Sequence, residues 1–488
     1  MRSLNEKCGI FGIFGDQFDV SRLSFYGLFA LQHRGQEATG IAVSDGEKIN
    51  CYKDTGLVNQ VYSEETISSM QGFMAIGHVL YTTCKRGTAD HIQPVTPKNS
   101  YIALVHNGNL PSTKALEAFL KSQNINIENM NDSEMMAEAI NHYVEKGFEL
   151  EDAVKKSYPL FTGGFSVLVM NNDSLVAIRD EYGVRPFSIG KLEDGYVFSS
   201  ESCSFNTISA ELLREVMPGE MVVVNKRGIR SEQLALPKPK LDIFEFVYFA
   251  RPDSTINGKL VHEVRNRTGL QLADEYPLDV DMVIPVPDTA IPAASSYARK
   301  LNIPFEMALI KNRYIQRTFI QPNQRLRKMG VKMKLNTLDP VIQGKKIALI
   351  DDSIVRGTTS QQIVQSLYEA GAKEVHFLVC SPPVRFPDFY GVDTPKQDNL
   401  IAATKSLPEI REFIGATSMY YLSLDGLISA IGLPPKQLCT SCFTGEYPIN
   451  LHERDIEVKF DLKHDLESFS DKSYGKQFFK DRVIYNHF

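Results

Sequence analysis

The sequence predicts two mixed domains in series: an α+β domain first, then an α/β domain with a mainly parallel sheet. Three observations lead there. The chain has 488 residues, and at about 100–200 residues per domain that length calls for two or three domains. Before about residue 235, short apolar runs are broken by Gly, Asn and Asp. Beyond it, apolar runs alternate with helical stretches and end in acidic or hydroxyl residues, the pattern of strand–loop–helix units.

In the first part, Gly9–Phe14, Phe73–Val79, Ile102–Val105, Phe165–Met170 and Met221–Val224 read as strands. Ser21–Gln32 and Ser133–Lys146 read as helices among them. Leu234–Leu241 carries two prolines and reads as a linker. In the second part, Met282–Val286 ends in Pro287-Asp288-Thr289, Lys346–Ile350 in Asp351-Asp352, and Val375–Cys380 in Ser381-Pro382-Pro383. Between the last two, Ile363, Val364, Leu367 and Ala370 mark one helix face and Gly371 a stop. Parallel sheets bind ligands at the carboxyl ends of their strands, where these polar residues fall.

Composition narrows the function. Hydrophobic residues make up 43% and charged residues 23%, ordinary for a globular protein. A net charge of −6 argues against a dedicated nucleic-acid binder. No apolar run approaches the ~18 residues of a membrane span, and Met1–Lys7 lacks the apolar stretch of a signal peptide. Seven scattered cysteines do not form a disulfide framework, so a reducing cytoplasm is the expected setting. An enzyme acting on small molecules, without nucleic acid or membrane, is the expectation.

The most informative stretch is Ile347-Ala-Leu-Ile-Asp351-Asp352-Ser353-Ile-Val-Arg356-Gly357-Thr358-Thr359-Ser360. A buried strand delivers two carboxylates, and a loop of Gly and hydroxyl residues then opens a helix. Backbone N–H groups and hydroxyls at a helix start bind anions, while the carboxylates suit ribose hydroxyls or a hydrated magnesium ion. An ordinary strand-to-helix turn capped by Asp would explain two acids but not the whole run. The run resembles the phosphoribosyl-pyrophosphate loop of type I phosphoribosyltransferases. That resemblance implies that Asp351 and Asp352 meet the ribose and metal, that Ser353 and Arg356–Ser360 hold the substrate and its 5′-phosphate, and that Thr289 joins the metal site. Lys311 to Lys334 holds eight basic residues and no acidic one. Positive charge is needed where pyrophosphate departs, so Lys311, Arg313 and Lys334 are expected at the substrate. A solvated basic loop is the blander reading.

Cys8-Gly-Ile-Phe-Gly12 follows a seven-residue leader. Removal of residues 1–7 would free an α-amine, with a pKa of about 7.7–8.0, to act as base for the thiol. Alone, a buried structural cysteine would be the better reading. Leu31-Gln-His-Arg34-Gly-Gln-Glu-Ala-Thr-Gly40, His106-Asn107-Gly108-Asn109, Asn131-Asp132-Ser133-Glu134, Arg179-Asp180 with Gly183-Val-Arg185-Pro186, and Ser200-Glu-Ser202 alter that balance. Together they resemble the class II glutamine amidotransferases, which are N-terminal nucleophile hydrolases. The resemblance implies a sandwich of antiparallel sheets between helices, with Cys8 as nucleophile, Asn107 and Gly108 as oxyanion hole, and Arg34 and Asp132 as glutamine ligands.

A glutaminase followed by a type I phosphoribosyltransferase resembles the amidophosphoribosyltransferase family, over about residues 8–450, with Phe246–Ser254 and Cys442–Pro448 matching as well. The resemblance implies a propeptide 1–7, a glutamine amidotransferase domain 8–235, a phosphoribosyltransferase domain 242–450 and an extension 451–488. It also implies magnesium, a homotetramer, feedback inhibition by purine nucleotides, and transfer of glutamine nitrogen to phosphoribosyl pyrophosphate.

The chain departs from the family at three places. Gly77-His-Val-Leu80-Tyr-Thr-Thr83 has leucine where the family has the arginine that pairs with the glutamine α-carboxylate. Arg86 is a candidate substitute. Otherwise the chain reads as an ammonia-dependent phosphoribosyltransferase or a regulatory paralogue, although the latter should have lost Cys8 or Asp351-Asp352. The four cysteines that hold an iron–sulfur cluster in one branch fall at Asp242, Asp388, Cys439 and Cys442. Four thiolates are the usual set, so a cluster-free relative that kept two core cysteines is the expectation; a bound iron–sulfur cluster is the first alternative and an Asp2Cys2 zinc site the second. Cys51, Cys84, Cys203 and Cys380 read as small core or loop residues.

Overall fold

The computed structural model describes residues 6–82, 91–98, 102–312, 335–390, 396–449, 451 and 466–469. Two sheets form the N-terminal part. The first runs β10(Glu211–Glu215)-β8(Ser188–Leu192)-β9(Gly195–Ser199)-β1(Glu6–Phe14)-β4(Met74–Thr82)-β2(Ala38–Ser44)-β3(Ile49–Thr55). The second runs β12(Gly228–Gln233)-β11(Glu220–Asn225)-β7(Ser174–Arg179)-β6(Thr162–Met170)-β5(Ala103–Ser112). Every pairing in both is antiparallel.

The two-residue period of a strand explains the layering. On β1, Ile10 and Phe14 meet Val105, Leu168 and Leu175 of the other sheet in one buried cluster. Phe11 and Ile13 point the other way, onto Val20 and Leu28 of the helix Val20–Ala30. The outer face of the second sheet, with Leu104, Val167 and Val176, packs on Met136 and Ile140 of the helix Asp132–Glu145. The result is a helix–sheet–sheet–helix sandwich. The helix Asp132–Glu145 begins where a capping pattern sits: the Asn131 side chain accepts from Glu134 N at 2.8 Å, and Glu134 returns a bond to Asn131 N at 2.7 Å.

The C-terminal part holds a four-stranded parallel sheet in the order Met282–Pro285, Lys346–Asp351, Glu374–Val379, Ser418–Tyr421. Its apolar strands are covered on both faces, by Val261–Glu275 and Ile291–Leu301 on one side and Thr358–Glu369 and Leu407–Ile414 on the other. The stretch 234–240 forms no regular element; Lys238 N and Lys240 N donate to Glu181 O and Tyr182 O at 2.8 and 2.7 Å, which lays it along the sandwich. A π-helical turn, Glu245–Phe249, follows. Among the described residues no helix is long and apolar enough to cross a membrane.

Candidate active sites

Cys8 lies on β1, on the same strand face as Ile10, and is 1% exposed. Its register partner is Leu80 of β4, and with Ala38 and Ile92 the two form a small apolar cluster. The family arginine position is thus occupied by a buried side chain directly beside Cys8. Arg86, the candidate substitute, lies outside the described residues.

Asn107 and Gly108 come from β5, in the facing sheet. Ser200 ties them to Cys8's strand: its Oγ accepts from Ile10 N and from Asn107 Nδ2, each at 3.0 Å. A Cβ on Gly108 would sit 2.1 Å from Gly164 O, so this turn of the strand admits only glycine. Asp132, 6% exposed, opens its helix and accepts from Leu110 N at 3.1 Å and Ser133 N at 2.9 Å, which brings it beside the strand of Asn107. His106 is buried behind them, Nδ1 to Ser133 Oγ at 3.0 Å; burial lowers its pKa, with Asp132 opposing.

Arg34, expected at the glutamine, is only 3% exposed, and its guanidinium is taken up by the protein. Nε donates to Cys8 O at 3.0 Å, Nη2 and Nη1 donate to the two Glu245 oxygens at 2.8 and 2.9 Å, and Nη1 also meets Glu201. Arg34 therefore grips the backbone of Cys8. Burial would push Glu201 up, but His33 and Arg34 outweigh it and hold the carboxyl far below its usual range. Glu201 also accepts from Ser254 Oγ at 2.6 Å and Arg251 N at 2.9 Å, which belong to the C-terminal part.

The other quoted N-terminal signatures are structural. Asp180 accepts from the backbone N–H of Phe165, Tyr182 and Val184 at 3.0, 2.9 and 3.3 Å, and burial pushes it up to about 6. Arg179 binds Val216 O and Gly183 O at 2.6 and 2.9 Å.

At the second site the strand Lys346–Asp351 delivers its two acids to the carboxyl end of the parallel sheet, each 9% exposed. Asp351 Oδ1 accepts from Asp352 N at 2.9 Å, and Ser353 Oγ donates to Asp352 Oδ1 at 2.6 Å. Thr289, from the neighbouring strand end, hydrogen-bonds Asp352. Burial raises both acids; Asp352 raises Asp351 further, while Ser353, Thr289 and Arg265 restrain Asp352. Gly357, at φ +75°, caps the helix Thr358–Glu369; Arg356, Thr358 and Thr359 are exposed and Ser360 is buried. An open cradle of N–H groups and hydroxyls results, suited to a phosphate. Lys311 Nζ pairs with Asp288 at 2.8 Å on the same side. Arg313 and Lys334 lie outside the described residues.

Asp351 and Asp352 are adjacent hard oxygen donors, and no lysine or arginine among the described residues forms a close ion pair with either. Hard carboxylate oxygens of this kind fit a magnesium ion; among the described residues no group of three or more His, Cys, Asp or Glu could hold a metal.

Asp242, Asp388, Cys439 and Cys442 do come together, but not as a cluster site. The Arg185 guanidinium stands among them, 3.2 Å from Asp242, 3.2 Å from Glu245 and 3.8 Å from Asp388, with Nε donating to Tyr390 O at 2.8 Å. Burial works against the Arg185 charge, and the three carboxylates outweigh it. Burial pushes Asp242 up to about 7 and Cys439 up to about 12, and drives Cys442 up as well. A cation in the centre and two protonated thiols do not fit iron–sulfur ligation.

Glu245 and Arg265 were missed by the sequence reading, whereas Glu201 lay within the quoted Ser200-Glu-Ser202 stretch; the signal for Glu245 was an acid ahead of the apolar run Phe246–Ala250. Arg265 Nε and Nη2 donate to Phe246 O and Ala250 O at 3.0 and 2.8 Å, and Arg265, Thr268, Thr289 and Asp352 line one small cavity.

The fold and the two sites define a glutamine amidotransferase joined to a phosphoribosyltransferase. The glutamine amidotransferase domain family matches residues 82–207, and the phosphoribosyl transferase domain family matches residues 263–382. The amidophosphoribosyltransferase of Synechococcus elongatus is 45% identical over 465 residues, covering 94% of each chain. That of Bacillus subtilis is 42% identical over 466 residues, covering 93% of this chain and 97% of its own. The solved B. subtilis glutamine phosphoribosylpyrophosphate amidotransferase, complexed with ADP and GMP, superposes with a TM-score of 0.85 at 42% identity, covering 91% of this chain and 98% of that one. This chain belongs to the amidophosphoribosyltransferase family.

Proposed function

We propose that the protein converts phosphoribosyl pyrophosphate, glutamine and water to 5-phosphoribosylamine, glutamate and pyrophosphate, the first committed step of purine biosynthesis. The observation that carries the proposal is one chain in which Ser200 ties the strand of Cys8 to Asn107 while Asp351 and Asp352 stand at the end of a parallel strand in the adjoining part. In this reading residues 8–235 are the glutaminase and 242–450 the phosphoribosyltransferase. Once residues 1–7 are removed, the Cys8 amine takes the thiol proton and the thiolate attacks the glutamine amide carbonyl. Asn107 Nδ2 and the Gly108 N–H stabilise the oxyanion, and Asp132 holds the α-amine. Ammonia leaves, and water hydrolyses the thioester to glutamate.

In neutral water ammonia would be protonated and lose its nucleophilicity, so it passes internally to the second site. There it attacks C1 of the ribose as pyrophosphate departs. Asp351 and Asp352 orient the ribose hydroxyls, Ser353 and Arg356–Ser360 hold the 5′-phosphate, and Lys311, Arg313 and Lys334 meet the pyrophosphate. Magnesium, held by Asp351 and Asp352 with Thr289 beside them, would supply positive charge for the leaving group. Purine nucleotides as feedback inhibitors are supported by the ADP and GMP of the B. subtilis relative; a homotetramer in the cytoplasm completes the proposal.

Leu80 beside Cys8 favours a second reading, in which ammonia is the working donor. Pyrophosphate release with glutamine or ammonium, in the wild type and Cys8→Ala, separates the two. Glutamine turnover lost only in Cys8→Ala supports the first reading. Turnover with ammonium alone in both proteins supports the second, and turnover with neither refutes both.

A further inference from the structure

We infer that Glu245 is a positioning residue for Cys8: acting through Arg34, it lets the phosphoribosyl half fix the nucleophile of the glutaminase half. The inference rests on the glutaminase role of Cys8 proposed above. Glu245 is fully buried and opens the π-helical turn Glu245–Phe249, a conformation found mostly as short bulges and often at functional sites. Its two oxygens accept from Arg34 Nη2 and Nη1 at 2.8 and 2.9 Å, across 211 residues of sequence. This two-point contact fixes the plane of the guanidinium. With the plane fixed, the third edge of Arg34 is aimed at Cys8, where Nε donates to the carbonyl oxygen at 3.0 Å.

The far side of the turn is anchored in the second half. Arg265 Nε and Nη2 hold Phe246 O and Ala250 O at 3.0 and 2.8 Å. Arg265 lines one cavity with Asp352, and the two attract each other. A shift of the turn at the phosphoribosyl site therefore moves Glu245, and Arg34 with it. Glu201 cannot replace Glu245. It meets Arg34 through Nη1 alone and is shared with His33, Ser254 and the Arg251 N–H. Without Glu245, Arg34 keeps a counter-charge but loses the contact that orients it.

The test is Glu245→Gln, which keeps the volume but turns one oxygen into a donor facing a donor. Glutamine-dependent turnover is expected to fall on the order of 10- to 100-fold, the scale of a misplaced reacting group. Ammonium-dependent pyrophosphate release should stay within about twofold of wild type, since the groups it needs are untouched. Arg34→Lys should show the same donor-specific loss, and the double variant should be no worse than the poorer single, as for two residues acting through one contact. Should Glu245→Gln fail to fold, Glu245→Asp keeps the charge with a shorter reach and should give the same donor-specific loss. Equal loss with both donors, no loss with glutamine, or additive effects in the double variant would overturn the inference. Failure of the underlying reading is separately visible, as glutamine turnover that survives Cys8→Ala.

Discussion

Gly357→Ala tests whether the loop after Asp352 is shaped for its ligand. Gly357 sits at φ +75° and ψ −11°, immediately before the helix Thr358–Glu369. An L residue in this left-handed region costs about 1–2 kcal/mol. A Cβ would meet Ile401 Cδ1 at 2.7 Å and Phe413 Cε1 at 3.2 Å, both far ends of side chains that can yield. The backbone strain is thus the main cost. If it falls on the conformer that binds the 5′-phosphate, about 1–2 kcal/mol means a binding-competent population roughly 5- to 30-fold smaller and a KM for phosphoribosyl pyrophosphate raised in proportion. Ammonium-dependent pyrophosphate release reads this KM without involving Cys8. Gly344→Ala is the control: it has the same φ of +75°, nothing within 4 Å of its would-be Cβ, and no part in the site. It should lower stability and leave KM unchanged. An unchanged KM in Gly357→Ala, or an equal rise in both variants, would refute the reasoning.

Two further outcomes are expected. His78 is fully buried with neither ring nitrogen hydrogen-bonded among the described residues, and burial, with His106 adding, drives its pKa to about 3. The unfolded chain takes up this proton below about pH 6.5 and the folded chain does not, so stability is fully present above that pH and is lost as pH falls toward 3, by up to ~1.4 kcal/mol per unit. Urea unfolding between about pH 6.5 and 5 should show His78→Leu less acid-sensitive than the wild type by about 1.5 kcal/mol; equal sensitivity would contradict it. Arg185→Met should destabilise the fold by about 3–5 kcal/mol, because it strands Asp242 and Asp388 without their buried cation; calorimetry showing an unchanged transition would count against the ion cluster.

How much of this was legible beforehand depended on how local the chemistry is. The strands Gly9–Phe14, Phe165–Met170 and Lys346–Ile350 were visible because apolar runs between turn residues carry their own signal, and the structure extends each by only a few residues. Asp351 and Asp352 were legible for the same reason: strand, acids, glycine and hydroxyls are contiguous, so one segment folds into the whole cradle. Thr289 was singled out by resemblance to a family position, and the sheet order brings it to Asp352. Arg34 was legible as part of a motif but not in its surroundings. An arginine in a glutaminase motif suggests a substrate ligand, and only burial beside Glu201 and Glu245 reveals that its charge is spent inside the protein. Leu80 showed what was missing, while its position opposite Cys8 came from the strand register.

By itself, then, the sequence determined the two-part architecture and the run from strand through paired acids to glycine and hydroxyls, because that run is one contiguous stretch; Cys8 was singled out only by several separated motifs taken together. Tertiary structure decided which charges neutralise which. Arg34, Arg185, Glu201, Glu245, Asp242 and Asp388 are scattered over some 350 residues yet gather in one buried network. The physical reason is that burial makes an unpaired charge intolerable. Each ion must therefore find its partner wherever folding brings one, and a one-dimensional sequence does not specify that choice.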